Sequence, residues 1–452
     1  MKTVQYAFWR FSWVLIVLVV AIFSVWGNPV EPNPSVLQTG LTGFDFNIVD
    51  LPQIYEPFQN IFGGQWDAVY TVPRNQMGPL QLVVSGGVLW FARDVLGGGD
   101  VGWGFARGFV VTVFGLGLGL ISLWWRRTLL PEATGKQLEY RTQVWVPIVT
   151  VVGGVLLFLL DDLYVWGHWC QLIVVVLWML SVQQLLSGRW LYASILVGLS
   201  IGFEPWGVFG VTLLIALSQR KLLAVVSSVV SVAVGSLIWV GFVVQPGFAA
   251  GSFVWQVRPD SLWGFLGVDE FFWSMRFVQA GLVVLVVLVV TVLFRRQDHT
   301  LSSKHTVWLI PLLPLLIMST RVVTDTIYYP YYSFTIMFFL TPLLVVAMAT
   351  GQMRIIVPLA IAFYSTFLAN SNWVAGTCAI RLDACAIPHS DTLTLFSPYI
   401  FFAITTSALV WLLLKVFNVN STILAKPDSG ISHLEETPVA TDNRDVTSEP
   451  WV

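Results

Sequence analysis

Charged side chains that could do chemistry are confined to a few polar breaks in an otherwise apolar chain. Asp45 and Asp50 follow the first hydrophobic segment. Arg74 comes shortly after them, and Arg258 and Arg321 lie in later breaks. A carboxylate can take the proton of a sugar hydroxyl, while arginine donors stabilise a departing phosphate. Arginine suits phosphate because its planar fork binds two oxygens and stays charged at any working pH. These residue types therefore suggest a transfer reaction that releases a phosphate.

The same residues also have purely structural interpretations. Asp50 could cap a short helix, since Asp commonly does so. Arg258 could anchor the chain among lipid headgroups. Arg321 could pair with Asp325 one helical turn later. The sequence leaves both interpretations open for each residue.

Composition decides the broad class. Of the 452 residues, 56% are hydrophobic, 11% are charged and 22 are Trp, which predicts an integral membrane protein. The net charge of −2 gives no reason to expect a nucleic-acid partner. The three cysteines and five histidines form no ligand pattern. We expect no metal site and no required cofactor; a divalent ion is compatible with the chemistry but not indicated.

The apolar segments predict an all-α polytopic membrane protein with about 12 transmembrane helices. Residues 1–417 are predicted to form one transmembrane catalytic domain, and residues 418–452 a disordered cytoplasmic tail. Basic residues at every second break mark the cytoplasmic side, so residues 28–80 form a large first extracytoplasmic loop. The segment 78–91 is either a partial insertion or a sign that a later span is miscounted. The other apolar segments are 11–26, 104–125, 145–160, 170–187, 191–204, 206–218, 222–244, 276–294, 305–319, 331–349, 354–370 and 393–416.

An ordered series of short motifs resembles a known family. The stretch from Asp50 to Tyr55 looks like the Asp-Leu-x-x-x-Tyr element that follows the first span in glycosyltransferase family 87. These enzymes are polyprenol-phosphate-mannose-dependent mannosyltransferases with the GT-C fold. Tyr70 with residues 78–80, the stretch 198–205 and the stretch 259–264 are similar to later motifs of that family, in the same order. The chain thus resembles a GT-C-type bundle over about residues 10–345.

The resemblance implies an inverting transfer of a sugar, expected to be mannose, from a polyprenyl-phosphate donor to a glycolipid or glycan acceptor. The active site would lie on the extracytoplasmic side of a cell membrane, expected to be bacterial. Asp50 would be the catalytic base, with Asp45 as second choice. The donor phosphate would be bound by Arg74, Arg258 and Arg321. The substrate-binding candidates are Tyr55, Glu204, Trp206, Ser261, Tyr328 and Tyr329.

Two departures from the family pattern leave alternatives open. Glu204 stands where the family usually has Lys before Pro, and Tyr328 to Tyr332 replace a segment that often contains His. One alternative is an arabinosyltransferase of the same fold. Others are a catalytically silent relative that binds glycolipid and a lipid or sugar transporter, although we find no internal repeat typical of transporters.

Two further patterns predict local structure. Gly115, Gly117 and Gly119 alternate within an apolar segment, which favours close helix packing over a phosphate loop. Cys378 and Cys385 lie seven residues apart in a predicted outward loop. We expect them to form a disulfide in an oxidising compartment.

Overall fold

The computed structural model describes a chain built of helices. It covers residues 2–26, 51–71, 77–96, 99–129, 136–160, 170–218, 220–246, 248, 257, 261–297, 303–326, 330–349, 353–381 and 392–418. These residues form α-helices joined by turns and short 3-10 or π segments, and no β-strand occurs among them. The predicted all-α class is therefore confirmed for this part of the chain.

Fifteen α-helices lie within the described residues. They are α1 (Lys2–Trp26), α2 (Leu51–Phe62), α3 (Pro79–Trp90), α4 (Gly99–Leu129), α5 (Lys136–Leu160), α6 (Cys170–Leu186), α7 (Trp190–Phe203), α8 (Val211–Leu217), α9 (Lys221–Val243), α10 (Leu262–Phe265), α11 (Trp273–Gln297), α12 (Ser303–Val323), α13 (Pro330–Ala349), α14 (Met353–Arg381) and α15 (Thr392–Asn418). A 3-10 turn at Trp66–Ala68 lies between α2 and α3, and another at Pro205–Gly210 leads into α8.

Each predicted apolar segment corresponds to a helix. Five described segments are long and apolar enough to cross a membrane. Several shorter apolar helices pack with them, so the chain is a helical protein suited to a membrane. The total of 12 spans stays a prediction. The five long segments are Gly108–Thr128, Lys221–Val243, Trp273–Val292, Tyr332–Ala349 and Pro398–Val416.

The longer helices run back and forth between two ends of the bundle. Consecutive helices pack against each other, as α6 does on α7 and α14 on α15. Arg127 lies in the last turn of α4, Arg189 lies in the turn between α6 and α7, and Lys221 begins α9. We call the end where these three residues lie the basic end. The opposite end, where α12 finishes with Arg321, is called the Arg321 end.

Helix α7 and the segment that follows it form a short hairpin. Helix α7 has 14 residues, about 21 Å of helix, which is less than the roughly 30 Å apolar layer of a bilayer. The chain then reverses at Glu204, and it returns so close to α7 that a Cβ on Gly207 would lie 2.3 Å from the carbonyl oxygen of Ser200. The hairpin therefore starts at the basic end and turns before it has crossed a full apolar layer.

Helix α3 lies across helix ends instead of spanning beside them. The amide of Gly78, just before α3, donates to the carbonyl oxygen of Phe203 at the end of α7, at 3.0 Å. Two turns further, the Ser85 hydroxyl lies 3.1 Å from the Cys170 sulfur at the start of α6. With 12 residues, α3 is too short to cross a bilayer. This geometry supports the interpretation of residues 78–91 as a partial insertion.

The glycine series of α4 packs against α1. A Cβ on Gly115 would lie 2.7 Å from Val17, and one on Gly119 would lie 2.2 Å from Trp13. Nothing lies within 4 Å of a Cβ on Gly117. The predicted close packing is therefore confirmed for two of the three glycines.

Alanine substitution of these glycines should distinguish two effects on stability, the loss of the α1–α4 contact and the gain in helix propensity. Gly119→Ala is expected to lower the free energy of unfolding by about 2 kcal/mol, because the new methyl overlaps the Trp13 ring. Gly117→Ala is the matched control and should raise stability by up to about 1 kcal/mol, since Ala is the better helix former. Melting temperatures in detergent measure both changes. Equal melting temperatures for the two variants would contradict the α1–α4 contact.

Candidate functional site

Arg321 is a buried cation at the C-terminal end of α12, with only 5% of the residue exposed. Its Nη2 lies 3.0 Å from Oδ2 of Asp325 and donates to the Tyr332 hydroxyl at 3.3 Å. The guanidinium carbon lies 4.5 Å from the ring centre of Trp206 and 4.6 Å from that of Tyr332. The structural pairing of Arg321 with Asp325 that the sequence suggested is therefore present, and two aromatic rings enclose the cation.

The ion pair with Asp325 involves only one of the three guanidinium nitrogens of Arg321. Nε and Nη1 of Arg321 are buried and have no hydrogen-bond partner among the described residues. Leaving such a donor unsatisfied costs about 1–3 kcal/mol, more for a charged group. Buried unsatisfied donors of this kind need an explanation, and an anionic ligand supplies one.

Asp325 also binds a second arginine, Arg276. Nη1 of Arg276 donates to Oδ1 of Asp325 at 2.7 Å and to Oε1 of Gln279 at 3.0 Å. Nε2 of Gln279 in turn donates to the Arg321 carbonyl oxygen at 2.9 Å. One carboxylate thus connects two guanidinium groups, and this trio carries a net positive charge. Such a cluster favours an anion nearby.

Sequence reasoning missed Arg276, although a signal was present. It stands at the start of an apolar segment, on the side predicted to face outward. Arg127, Arg189 and Lys221 near other helix ends lie at the basic end, whereas Arg276 shares the Arg321 end with Arg321. An arginine on this side of the pattern marks a functional or structural ion pair.

Glu204 forms the turn of the α7 hairpin. Its backbone is extended, with φ −146°, and its carbonyl oxygen accepts from the amide of Gly207 at 2.8 Å. The residue is 5% exposed and interacts electrostatically with Arg321 and Tyr70. Burial, helped by the Glu204 charge, raises the pKa of Tyr70 well above its ordinary value. Tyr70 is therefore a neutral donor, and its hydroxyl bonds the Met77 carbonyl oxygen at 2.9 Å.

Trp178 of α6 fixes the hairpin turn. Its indole Nε1 donates to the Ser200 hydroxyl at 3.0 Å and to the Gly207 carbonyl oxygen at 3.3 Å. Its ring meets that of Trp206 edge to face, with centres 5.5 Å apart. Trp178 thus holds both sides of the turn that presents Glu204 and Trp206 to Arg321.

Trp178→Phe should loosen this turn. We expect the free energy of unfolding to fall by about 1–2 kcal/mol, because the indole donor is lost while most of the ring stays. Trp145→Phe is the matched control, since Trp145 lies 59% exposed on α5 and should change stability little. The melting temperature in detergent measures both. An unchanged melting temperature for Trp178→Phe would show that the indole hydrogen bonds of Trp178 do not stabilise the hairpin turn.

Ser261 has a local structural role at the same end. Its hydroxyl accepts from the Gly264 amide at 3.1 Å and so caps the one-turn helix α10. Helix α10 is attached to the end of α12, because Nε1 of Trp263 donates to the Thr324 carbonyl oxygen at 2.9 Å. Ser261 therefore supports the Arg321 end.

Tyr55 lies apart from Glu204 and Arg321. Helix α2 packs antiparallel on α3, with Phe58 against Gly86. The Tyr55 hydroxyl bonds the Asp94 carboxylate just beyond α3, and it also accepts from Nε2 of Gln59. Asp94 is about 24 Å of helix away from Gly78, which contacts the Glu204 turn. Tyr55 thus stands on the side of α3 that leads into α4.

The remaining predicted site residues cannot be placed with this group. Cys378 belongs to the last turns of α14 and not to a loop, so that part of the disulfide prediction was wrong. Its pairing with Cys385 stays a prediction. The predicted residues that lie outside the described part of the chain are Asp45, Asp50, Arg74, Arg258, Tyr328, Tyr329 and Cys385.

Metal-ligand groups among the described residues and comparisons with known proteins give no further information about this site. Within the described ranges, no group of three or more His, Cys, Asp or Glu residues could hold a metal ion. Comparisons with protein-family models, with curated proteins and with solved structures found no match. The resemblance to glycosyltransferase family 87 therefore stays a prediction from the sequence motifs.

Proposed function

We propose that this protein is an inverting glycosyltransferase that moves a sugar, most simply mannose, from a polyprenyl phosphate to a glycolipid or glycan acceptor. The acceptor oxygen bonds to the anomeric carbon of the sugar as the bond from that carbon to the phosphate oxygen breaks. The hydroxyl proton goes to a carboxylate, and polyprenyl phosphate leaves with the bonding electrons. The ordered motif series and the buried Arg321 cluster support this proposal.

The observation that carries the proposal is the unused half of the Arg321 guanidinium. Nε and Nη1 are buried and have no hydrogen-bond partner among the described residues, in a group that combines two arginines with the carboxylates of Asp325 and Glu204. Each of these N–H groups can donate to a phosphate oxygen, and a charge that grows on the leaving phosphate would be stabilised there. Arg74 and Arg258 stay candidates for further phosphate contacts.

The position of the charges favours transfer at a membrane face over transport. Arg276 stands in the first turn of α11, Arg321 in the last turn of α12, and Glu204 at the hairpin turn. Transporters commonly place such groups near the bilayer midplane within repeated halves. A site at helix ends can instead meet a lipid-linked donor and a water-borne sugar acceptor. We place this end on the extracytoplasmic side, opposite the basic end.

Asp50 is the proposed base, and Glu204 has a different role. In a single inverting displacement, the acceptor hydroxyl and the leaving phosphate lie on opposite faces of the sugar. Glu204 interacts with Arg321 and so belongs to the phosphate side. It is suited to bind sugar hydroxyls, with Trp206 and Tyr332 as stacking faces. The base must come from elsewhere, and the Asp50 motif supplies it by resemblance.

The test is transfer of label by the purified protein from polyprenyl-phosphate-[¹⁴C]mannose to membrane glycolipids. Labelled glycolipid is expected, and a parallel assay with an arabinose carrier decides the sugar. A folded protein that forms no product from either carrier, with a full acceptor pool, would contradict the proposal. Binding of the carrier without product would indicate a silent relative. Movement of the carrier between leaflets without a new glycosidic bond would indicate a transporter.

A further inference from the structure

Gln81 is a fully buried amide whose side chain has no hydrogen-bond partner in the described part of the chain. It lies in the first turn of α3 and is 0% exposed. Neither Nε2 nor Oε1 of Gln81 has a hydrogen-bond partner among the described residues. An amide that is buried with both its donor and its acceptor unused is strongly disfavoured unless a ligand or water meets it.

A second unused amide oxygen lies at the same end of the bundle. Gln171 is 2% exposed in the first turn of α6, and its Oε1 is also unpartnered within the described residues. Ser85, one turn after Gln81 on the same face of α3, touches Cys170 directly before Gln171. The two amides therefore belong to helix starts that meet, next to the Glu204 turn.

The chemistry of these groups points to hydroxyls. A side-chain amide offers two donors and two acceptor lone pairs, which match the hydroxyl groups of a sugar that both donate and accept. A prenyl chain would leave the amides unsatisfied, and a phosphate would satisfy only their donors. The guanidinium of Arg321 already provides for the phosphate.

We propose that Gln81 and Gln171 form a subsite for the hydroxyl groups of the donor sugar, beside the phosphate site at Arg321. This inference rests on the proposed function for the identity of the donor. It does not depend on catalysis, because the subsite would make the sugar-bearing carrier bind more tightly than the carrier alone. The subsite would also select between sugars, since unpaired buried amides reject a sugar that lacks the matching hydroxyl.

Binding tests the subsite. The purified protein is titrated with polyprenyl-phosphate-mannose and with sugar-free polyprenyl phosphate. We expect the wild type to bind the mannose carrier about tenfold more tightly, which is the gain from one or two hydrogen bonds. Gln81→Leu should remove that preference and leave the affinity for polyprenyl phosphate unchanged. Gln184→Leu, at the basic end of α6, is the matched control and should keep the preference.

The outcomes separate this inference from the proposed function. A preference that Gln81→Leu abolishes supports the subsite even if no sugar is transferred, in which case only the proposed reaction fails. Equal binding of both carriers by the wild type overturns the subsite. A preference that survives Gln81→Leu also overturns it, and the buried amide then holds ordered water. If Gln81→Leu does not fold, Gln81→Asn replaces it. Asn keeps the polar amide group but is one methylene shorter, so the amide should no longer reach the sugar hydroxyls.

Discussion

Arg321→Gln is expected to lower kcat/KM for the polyprenyl-phosphate sugar by about 10²-fold to 10³-fold, the usual effect of removing one charge-stabilising donor. Gln keeps a polar amide but is shorter than Arg and carries no charge. It cannot offer the charged N–H groups of Nε and Nη1, which have no hydrogen-bond partner among the described residues. The reaction that releases a phosphate should therefore lose its main electrostatic support.

A second variant separates catalysis from stability. Arg321 also pairs with the buried Asp325, so Arg321→Gln weakens an ion pair as well. Arg321→Lys keeps the charge near Asp325 but replaces the planar fork by a single ammonium group. We expect Arg321→Lys to fold nearly as well as wild type and still to lose about 10²-fold in kcat/KM.

The control for Arg321 lies at the other end of the bundle. Arg354 is exposed in the first turn of α14, and Arg354→Gln should leave kcat/KM within about twofold, since surface charges contribute little. Initial rates at several donor concentrations give kcat and KM separately. A well-folded Arg321→Lys protein with wild-type kcat/KM would remove the phosphate role of Arg321 and the main support of the proposed function.

Local sequence signals were enough to predict the helices and one of the contacts. Every apolar segment is helical because a buried backbone in an apolar solvent must satisfy its own hydrogen bonds. The Arg321–Asp325 pair could be foreseen since residues four apart lie on one helix face. The close approach of α4 to another helix followed from Gly115 and Gly119, although the partner α1 did not.

Contacts between helix ends could not be predicted in the same way. Trp178 bonds to Ser200 and Gly207 across a turn, and nothing in the periodicity of either segment encodes that meeting. The same holds for Arg276 and Asp325, which are 49 residues apart. A polar residue in an apolar helix is visible in the sequence, but its partner depends on how the helices are arranged. The sequence alone therefore predicts no role for Gln81.

The division of roles between two carboxylates gives the second large effect. Asp50→Asn is expected to lower kcat by about 10³-fold, because the acceptor hydroxyl then has no base to take its proton. Binding of the polyprenyl-phosphate sugar should stay within about threefold of wild type, since the proposed base acts on the acceptor hydroxyl and not on the donor phosphate. Product formation and donor binding, measured on the same preparation, provide both numbers. Asp45→Asn is the matched control and should stay active.

Glu204→Gln should behave in the opposite way. Glu204 interacts with Arg321 and Tyr70, so the proposed function puts its carboxylate on the phosphate side of the bound sugar. Removing its charge should change KM for the donor more than kcat, and kcat should stay within about tenfold, because no proton transfer is lost. If Glu204→Gln abolished transfer while Asp50→Asn remained active, Glu204 would be the base. The acceptor would then enter beside Arg321, and the direction of attack proposed for this site would have to be reversed.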